Sequence, residues 1–191
     1  LSDLKNAGRE IVLVTSGAIG VGAGHLGLKE RPRDIGGKQA AAAVGQCELM
    51  YTYDKQFSEY GHVTAQVLLT RDVVEDDRRK SNVVNTLCRL LEYGAVPIIN
   101  ENDTVATEEI EFGDNDTLSA LVAELVGADA LVLLTDIDGL YDADPHQSPD
   151  AHPIPEVRII DQNLLKLAGG AGSNRGTGGM VTKLRAARMV T

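Results

Sequence analysis

The chain has 191 residues, of which 43% are hydrophobic and 24% charged, and it contains 20 glycines. This composition is typical of a globular protein and excludes disordered and fibrous classes. The formal net charge is −10, from 18 basic and 28 acidic side chains, which excludes nucleic acid and anionic membranes as partners. No apolar stretch approaches the ~20 residues that cross a bilayer, and the first residues lack a signal-peptide pattern. We therefore expect a soluble, cytoplasmic protein with one domain.

The predicted elements alternate between strands and helices. Short apolar runs are typical of strands buried on both faces of a parallel sheet, and they occur at 11–14, 63–69, 96–99 and 130–134. Helical stretches lie between them, at 38–60, 78–93 and 117–126, with glycines after the last two as C-caps. This order predicts an α/β sandwich around a mainly parallel open sheet.

Other segments do not follow this alternation. Residues 1–7 resemble the end of a helix with no strand before it, and the chain stops at 191 within or just after a helix, so both edges of the domain are expected to be incomplete. Residues 101–113 mix β-branched and acidic side chains and predict a short hairpin or lid. Residues 141–155 contain four prolines and predict a surface loop.

Common cofactor and metal motifs fail on position or spacing. A GxGxxG pattern at 22–27 starts well after the strand at 11–14, so dinucleotide geometry is excluded, and there is no Walker-type phosphate loop. An Asp-rich stretch at 136–139 lacks the remaining ligands of a calcium loop. Cys47 and Cys88 are predicted to be buried thiols, and the four histidines have no metal-ligand spacing. A transition-metal site is therefore not expected.

Polar residues follow three of the predicted strands. They include Ser16 after the first, Asp103 after the third, and Thr135 and Asp136 after the fourth. Each has an ordinary structural explanation as a helix cap or turn residue. Open α/β sheets bind ligands at the carboxyl ends of their strands, so the coincidence at three strand ends favours a ligand site.

Two further motifs precede helices. Residues 113–117 place Asp114 and Asp116 around Asn115, which suits either helix capping or substrate binding. Residues 176–183 form a glycine-rich turn that leads to Lys183. Such a turn can hold phosphate oxygens on backbone N–H groups, with the lysine reaching a transferring phosphoryl group. A flexible loop followed by a solvated lysine is the alternative.

Five blocks, in this order along the chain, are more specific together than any one alone. They are VTSGAIGVG at 14–22, PIINENDTVAT at 97–107, FGDNDTLSALVAELVGAD at 112–129, LLTDIDGLYDADP at 133–145 and GTGGMVTKLRAA at 176–187. Together they resemble the amino acid kinase family, and within it the members that phosphorylate glutamate. The resemblance implies an α/β/α sandwich and a single kinase domain over 1–191 that lacks its first strand, its C-terminal end and the RNA-binding-like domain of many members.

The resemblance also implies the activity. The chain would use ATP and Mg²⁺ to phosphorylate the γ-carboxylate of L-glutamate, giving γ-glutamyl phosphate in the first step of proline biosynthesis. That carboxylate, with a reference pKa of about 4.3, is ionised at pH 7 and needs no general base. Mg²⁺ would be held largely by ATP phosphates and water.

Site residues carry over by motif. Ser16, Asp103 and Asn115 would hold glutamate, Lys183 would stabilise charge on the transferring phosphoryl group, and Asp116 would orient the lysine. The ATP site would comprise Thr135, Asp136, Thr177, Gly178, Gly179, Met180, Val181, Thr182 and Lys183. A second lysine of the family belongs to a first-strand VKxGTS-type motif that these 191 residues do not contain, so we expect little activity from them alone.

The resemblance further implies proline as a feedback inhibitor, glutamate-5-semialdehyde dehydrogenase as the enzyme that takes the product, and a homo-oligomer. Two alternatives stay open. One is another member of the family, such as an acetylglutamate, carbamate, uridylate or aspartate kinase. The other is a non-catalytic fragment or sensor that binds glutamate or nucleotide.

Overall fold

The computed structural model describes residues 1–73, 75–106, 114–145, 148–168 and 179–191. The helices and strands follow in chain order. They are α1 (Ser2–Asn6), β1 (Leu13–Val14), α2 (Ala18–His25), α3 (Ile35–Ser58), β2 (Thr64–Leu69), α4 (Asp77–Glu92), β3 (Val96–Glu101), α5 (Asn115–Val126), α6 (Gln162–Ala168) and α7 (Met180–Val190).

The chain forms two compact units, Leu1–Asn115 and Asp116–Thr191. The first contains the sheet and α1 to α4, and the second contains nearly all of α5 together with α6 and α7. The prediction of a single domain over 1–191 stays a prediction.

The sheet is parallel, with strand order β1-β3-β2. Leu13 pairs with Ile98 in one ladder, and Thr64 pairs with Val96 in the other. The first five residues of β3 are buried, as expected for the central strand of a covered parallel sheet. Helix α3 packs against β2 and α4 against β3. The α/β class and three of the predicted strands are confirmed, although β1 is shorter than the predicted 11–14.

The predicted strand at 130–134 is wrong for this structure. The segment has no regular secondary structure, and Val132 and Leu134 are 75% and 77% exposed. An apolar run becomes a strand only when a neighbour accepts and donates its backbone hydrogen bonds. Within the described ranges, no strand pairs with this segment.

Helix α2 was not predicted, and its glycines have a packing role. A Cβ added at Gly22 would lie 1.8 Å from the carbonyl oxygen of Ala41, and one at Gly45 would lie 1.8 Å from that of Ala18. The backbones of α2 and α3 therefore touch at a crossing built from small residues. The excluded GxGxxG pattern begins at this crossing, which explains Gly22 without a nucleotide.

The other helix predictions hold closely. Asp34 and Asp76 cap α3 and α4, because their carboxylates accept hydrogen bonds from the backbone N–H groups of the first turn. Gly94 and Gly127 follow α4 and α5 with φ of 74° and 62°, a conformation that suits glycine. No helix in the described part of the chain is long and apolar enough to cross a membrane.

Cys47 and Cys88 are free thiols but exposed, so their predicted burial is wrong. They lie on the outward faces of α3 and α4, where helical position decides exposure more than residue type does. Residues 103–105 of the predicted hairpin form a turn after β3, and 107–113 lie outside the described residues.

Candidate functional site

The first group of candidate residues lies where β1 and β3 end. Thr15 follows β1 directly, and its N–H donates to the Ile99 carbonyl oxygen at 2.8 Å, which extends the ladder by one bond. Asn100 lies near the end of β3. Because adjacent parallel strands end at the same edge of a sheet, these two residues are brought together there.

Three amide side chains meet at this edge, and we call Gln46, Asn100 and Asn115 the amide cluster. The Asn115 Nδ2 group donates to the Thr15 carbonyl oxygen at 2.6 Å and to Asn100 Oδ1 at 3.0 Å. Asn100, only 1% exposed, donates through Nδ2 to Gln46 Oε1 at 2.8 Å. Two donations use both amide hydrogens of Asn115, so its Oδ1, an acceptor, is the atom suited to a ligand that carries donors.

Ser16 is exposed and lies two residues before the first residue of α2. The N-cap of that helix is Gly17, whose φ is 96°, and no side chain caps it. The first N–H groups of a helix have no intrahelical partner and attract anions. The Ser16 hydroxyl and the start of α2 thus form a donor-rich turn suited to a carboxylate.

Asp103 lies in the turn that follows β3 and is half-buried. The turn is tied to the sheet by the Asn102 N–H, which donates to the Leu69 carbonyl oxygen at 2.8 Å. The same turn is closed by the Ala106 N–H, which donates to the Asn102 carbonyl oxygen at 3.1 Å. Asp103 therefore stands three residues beyond Asn100, on a turn fixed at both ends.

The second unit contains what we call the lysine cluster, Asp116, Thr182 and Lys183. Lys183 Nζ lies 3.0 and 3.3 Å from the two carboxylate oxygens of Asp116. The Thr182 hydroxyl is 2.6 Å from Asp116 Oδ2 and 2.7 Å from the Gly179 carbonyl oxygen. Lys183 and Asp116 are 19% and 16% exposed, so this pair is screened less than a surface ion pair.

The position of Lys183 is electrostatically unusual. It stands in the first turn of α7, whose N-cap Gly179 supplies no side chain. The N-terminus of a helix is its positive end and disfavours a cation. The Asp116 carboxylate offsets this repulsion, and a ligand that carries several negative charges would be attracted by the same local potential.

The remaining predicted residues are placed differently. Thr135 and Asp136 are exposed, and the Thr135 hydroxyl lies 3.3 Å from Asp136 Oδ1. Met180 and Val181 begin α7 and are half-buried. Thr177 and Gly178 lie outside the described residues.

Asn100 and Gln46 were not among the predicted site residues. The signal for Asn100 was its place at the end of a buried strand, where a polar side chain must find a partner. The signal for Gln46 was a polar residue within an Ala-rich helix. Within the described ranges, no three His, Cys, Asp or Glu side chains are grouped so as to hold a metal ion.

The fold and these clusters define a class of protein: an open parallel α/β sheet with polar residues at its strand ends, and a lysine held by an aspartate at a helix N-terminus. The family model described as "Amino acid kinase family" matches residues 1–191, and the chain belongs to that family.

Three curated relatives with high sequence identity come from one branch of this family. The chain is 58% identical to the glutamate 5-kinase of Clostridium perfringens, over 100% of this chain and 72% of the relative. It is 58% identical to the glutamate 5-kinase of Symbiobacterium thermophilum, over 99% of this chain and 72% of the relative. It is 60% identical to that of Moorella thermoacetica, over 100% of this chain and 50% of the relative. The chain thus spans about half to three-quarters of the length of these relatives.

Proposed function

We propose that the protein phosphorylates the γ-carboxylate of L-glutamate with ATP, which forms γ-glutamyl phosphate and ADP in the first step of proline biosynthesis. The observation that carries the proposal is the identity of 58–60% to proteins named glutamate 5-kinase across essentially the whole chain. The two polar clusters supply a chemical account that agrees with it.

The strand-end residues of the first unit suit a zwitterionic amino acid. Glutamate carries one ammonium group and two carboxylates. Asn115 Oδ1 and the Asp103 carboxylate are acceptors for the ammonium group, and the Ser16 hydroxyl with the first N–H groups of α2 are donors for a carboxylate. We assign glutamate binding to Ser16, Asp103 and Asn115 on this match of donors and acceptors.

The lysine cluster of the second unit suits phosphoryl transfer. The ionised γ-carboxylate of glutamate attacks the terminal phosphorus of ATP in line, and the bond to the ADP oxygen breaks as the new bond forms. Little proton transfer is needed, so catalysis consists of positioning and charge stabilisation. We assign the stabilisation of charge on the phosphoryl group to Lys183, and the positioning of the Lys183 ammonium group to Asp116.

Nucleotide binding is assigned to the remaining motif residues. Backbone N–H groups at the start of α7 are donors for phosphate oxygens. The residues concerned are Thr135, Asp136, Thr177, Gly178, Gly179, Met180, Val181, Thr182 and Lys183. Mg²⁺, coordinated by ATP phosphates and water, would neutralise charge on the phosphates. Proline as feedback inhibitor, transfer of the product to a glutamate-5-semialdehyde dehydrogenase, and a homo-oligomer belong to the same proposal.

The test is glutamate-dependent turnover by the full-length protein with Mg-ATP. Hydroxylamine traps the acyl phosphate as γ-glutamyl hydroxamate, while coupled assays follow ADP. We expect both products in equal amounts with L-glutamate. Preferred turnover of aspartate, N-acetylglutamate, carbamate or UMP would assign the protein to another branch of the family. Binding of glutamate or nucleotide without any ADP formation would favour the sensor alternative.

A further inference from the structure

Helix α3 carries three polar side chains at a regular spacing. They recur every seven residues, as Gln39, Gln46 and Tyr53. Seven residues are close to two turns of an α-helix, so the three side chains project from one face. All three are half-buried, although the helix is otherwise rich in alanine on its buried side.

Each of the three side chains holds a different segment of the candidate glutamate site. Tyr53 Oη lies 2.8 Å from Thr15 Oγ1, on the segment that leads to Ser16. Gln46 Oε1 accepts from the Asn100 amide at 2.8 Å. The three segments follow β1, end β3 and form the turn after β3.

Gln39 makes the third contact. Its Nε2 donates to the Ala106 carbonyl oxygen at 3.1 Å, at the end of the turn that contains Asp103. The three partner residues on the site side are strongly buried: Thr15 is 7%, Asn100 1% and Ala106 5% exposed. Buried polar groups of this kind are costly to leave without a partner, so the three bonds constrain the segments they join.

We infer that the face of α3 formed by Gln39, Gln46 and Tyr53, here called the polar stripe, positions the glutamate-binding residues of this protein. The inference rests on the proposed function for the identity of the ligand. The three side chains are positioning residues, because they act through Ala106, Asn100 and Thr15. Gln46 is the most important of them, because its partner Asn100 is in turn hydrogen-bonded to the proposed glutamate-binding residue Asn115.

The test uses near-isosteric variants of the full-length protein that remove the hydrogen bonds of the polar stripe: Tyr53→Phe, Gln46→Met and Gln39→Met. Gln46→Met also removes an exposed bond, in which Gln46 Nε2 donates to Gln66 Oε1 at 3.3 Å. Tyr53→Phe keeps the ring that packs on the hydrophobic cluster of Phe57. The matched controls lie on the exposed side of the same helix. Tyr51→Phe controls for Tyr53→Phe, and Gln56→Met controls for the glutamine variants.

Steady-state kinetics should separate positioning from general damage. Loss of one hydrogen bond that positions the site should raise KM for glutamate about threefold to tenfold per variant, with Gln46→Met at the upper end. KM for ATP should change less than about twofold, and the controls should match wild type. In an Asn115→Ala background, Gln46→Met should have little further effect, because the two act in series. Equal changes in both KM values, or equal effects of the controls, would overturn the inference.

Hydrogen–deuterium exchange of the ligand-free variants gives a readout independent of the reaction. Tyr53→Phe should speed exchange at the Thr15 amide, and Gln39→Met should speed it at Val105 and Ala106, with unchanged exchange in α4. Unchanged exchange in all the site segments would refute the positioning role. If wild type shows no glutamate-dependent ADP formation but the exchange pattern appears, the proposed function fails and the positioning role stands.

Discussion

The crossing of α2 and α3 allows a stability prediction worked from geometry. Gly45→Ala would place a methyl group 1.8 Å from the Ala18 carbonyl oxygen and near the Gly22 backbone nitrogen. These neighbours are main-chain atoms, so no side-chain rotation can relieve the contact, and the helices must separate by more than about 1 Å. Overpacking typically costs about 1–3 kcal/mol, and the better helix propensity of alanine returns about 1 kcal/mol at most.

Because the added methyl group meets main-chain atoms at 1.8–2.8 Å, we take the overpacking cost at the upper end of its range, about 3 kcal/mol. We therefore expect Gly45→Ala to lower the free energy of unfolding by about 2 kcal/mol, which for a domain of this size lowers Tm by roughly 4–8 °C. Thermal and urea denaturation of the full-length protein measure the change. Gly20→Ala on α2 is the matched control, because a Cβ there meets nothing within 4 Å. Gly20→Ala should raise the free energy of unfolding by about 0.5–1 kcal/mol, because alanine is the better helix former. Gly22→Ala should lower the free energy of unfolding by about as much as Gly45→Ala. The double variant should lose less stability than the two single variants added together, because one separation of α2 from α3 relieves both contacts. Equal stability of Gly45→Ala and Gly20→Ala would refute the close crossing.

Three further predictions concern the proposed chemistry and use kinetics of the full-length protein. Lys183→Ala should lower kcat by at least about a hundredfold, with a smaller change in ATP binding. Lys183→Arg should restore little of this kcat, because a planar guanidinium replaces a compact ammonium group. A kcat near wild type for Lys183→Ala would show that the lysine has no part in the mechanism. Asp116→Asn should lower kcat about tenfold to a hundredfold, because Lys183 loses the carboxylate that offsets its place at the start of α7; a larger change in KM for glutamate than in kcat would contradict that role. Asp103→Asn should raise KM for glutamate about tenfold to a hundredfold and leave KM for ATP nearly unchanged, since a charge-assisted bond to the ammonium group is lost; equal changes in both would assign Asp103 to folding.

Local signals were enough to predict much of the fold. The strands at β2 and β3 and the helices α3, α4 and α5 follow from apolar runs, helical stretches and C-cap glycines. Helix α2 was missed because three of its eight residues, Gly20, Gly22 and Gly24, are poor helix formers. Tertiary contact with α3 overrides that propensity, and such a contact cannot be read from a local window.

The candidate site was predictable only in part, for a related reason. Ser16, Asp103, Thr135 and Asp136 were predicted because ligands bind at the carboxyl ends of parallel strands. Ser16 and Asp103 do follow strands of the structure, whereas the strand predicted before Thr135 and Asp136 is not formed. The pairing of Lys183 with Asp116 spans 67 positions, and it was expected only from the resemblance to the amino acid kinase family. The bond between Asn100 and Gln46 spans 54 positions, and no local sequence pattern predicts it. Side-chain pairing over such distances is decided by how the elements pack.

The helix crossing and the polar stripe are two consequences of one arrangement within the first unit. Gly22 and Gly45 let the backbones of α2 and α3 touch, so the start of α2 is held against the same helix that carries Gln46. Gln46 lies next to Gly45 in sequence, and its side chain turns to Asn100 while the Gly45 backbone contacts α2. A methyl group at Gly45 should therefore disturb both the donor-rich turn at Ser16 and the amide cluster. We expect Gly45→Ala to raise KM for glutamate in addition to lowering Tm, whereas a destabilised variant with unchanged KM for glutamate would show that the crossing and the site are independent.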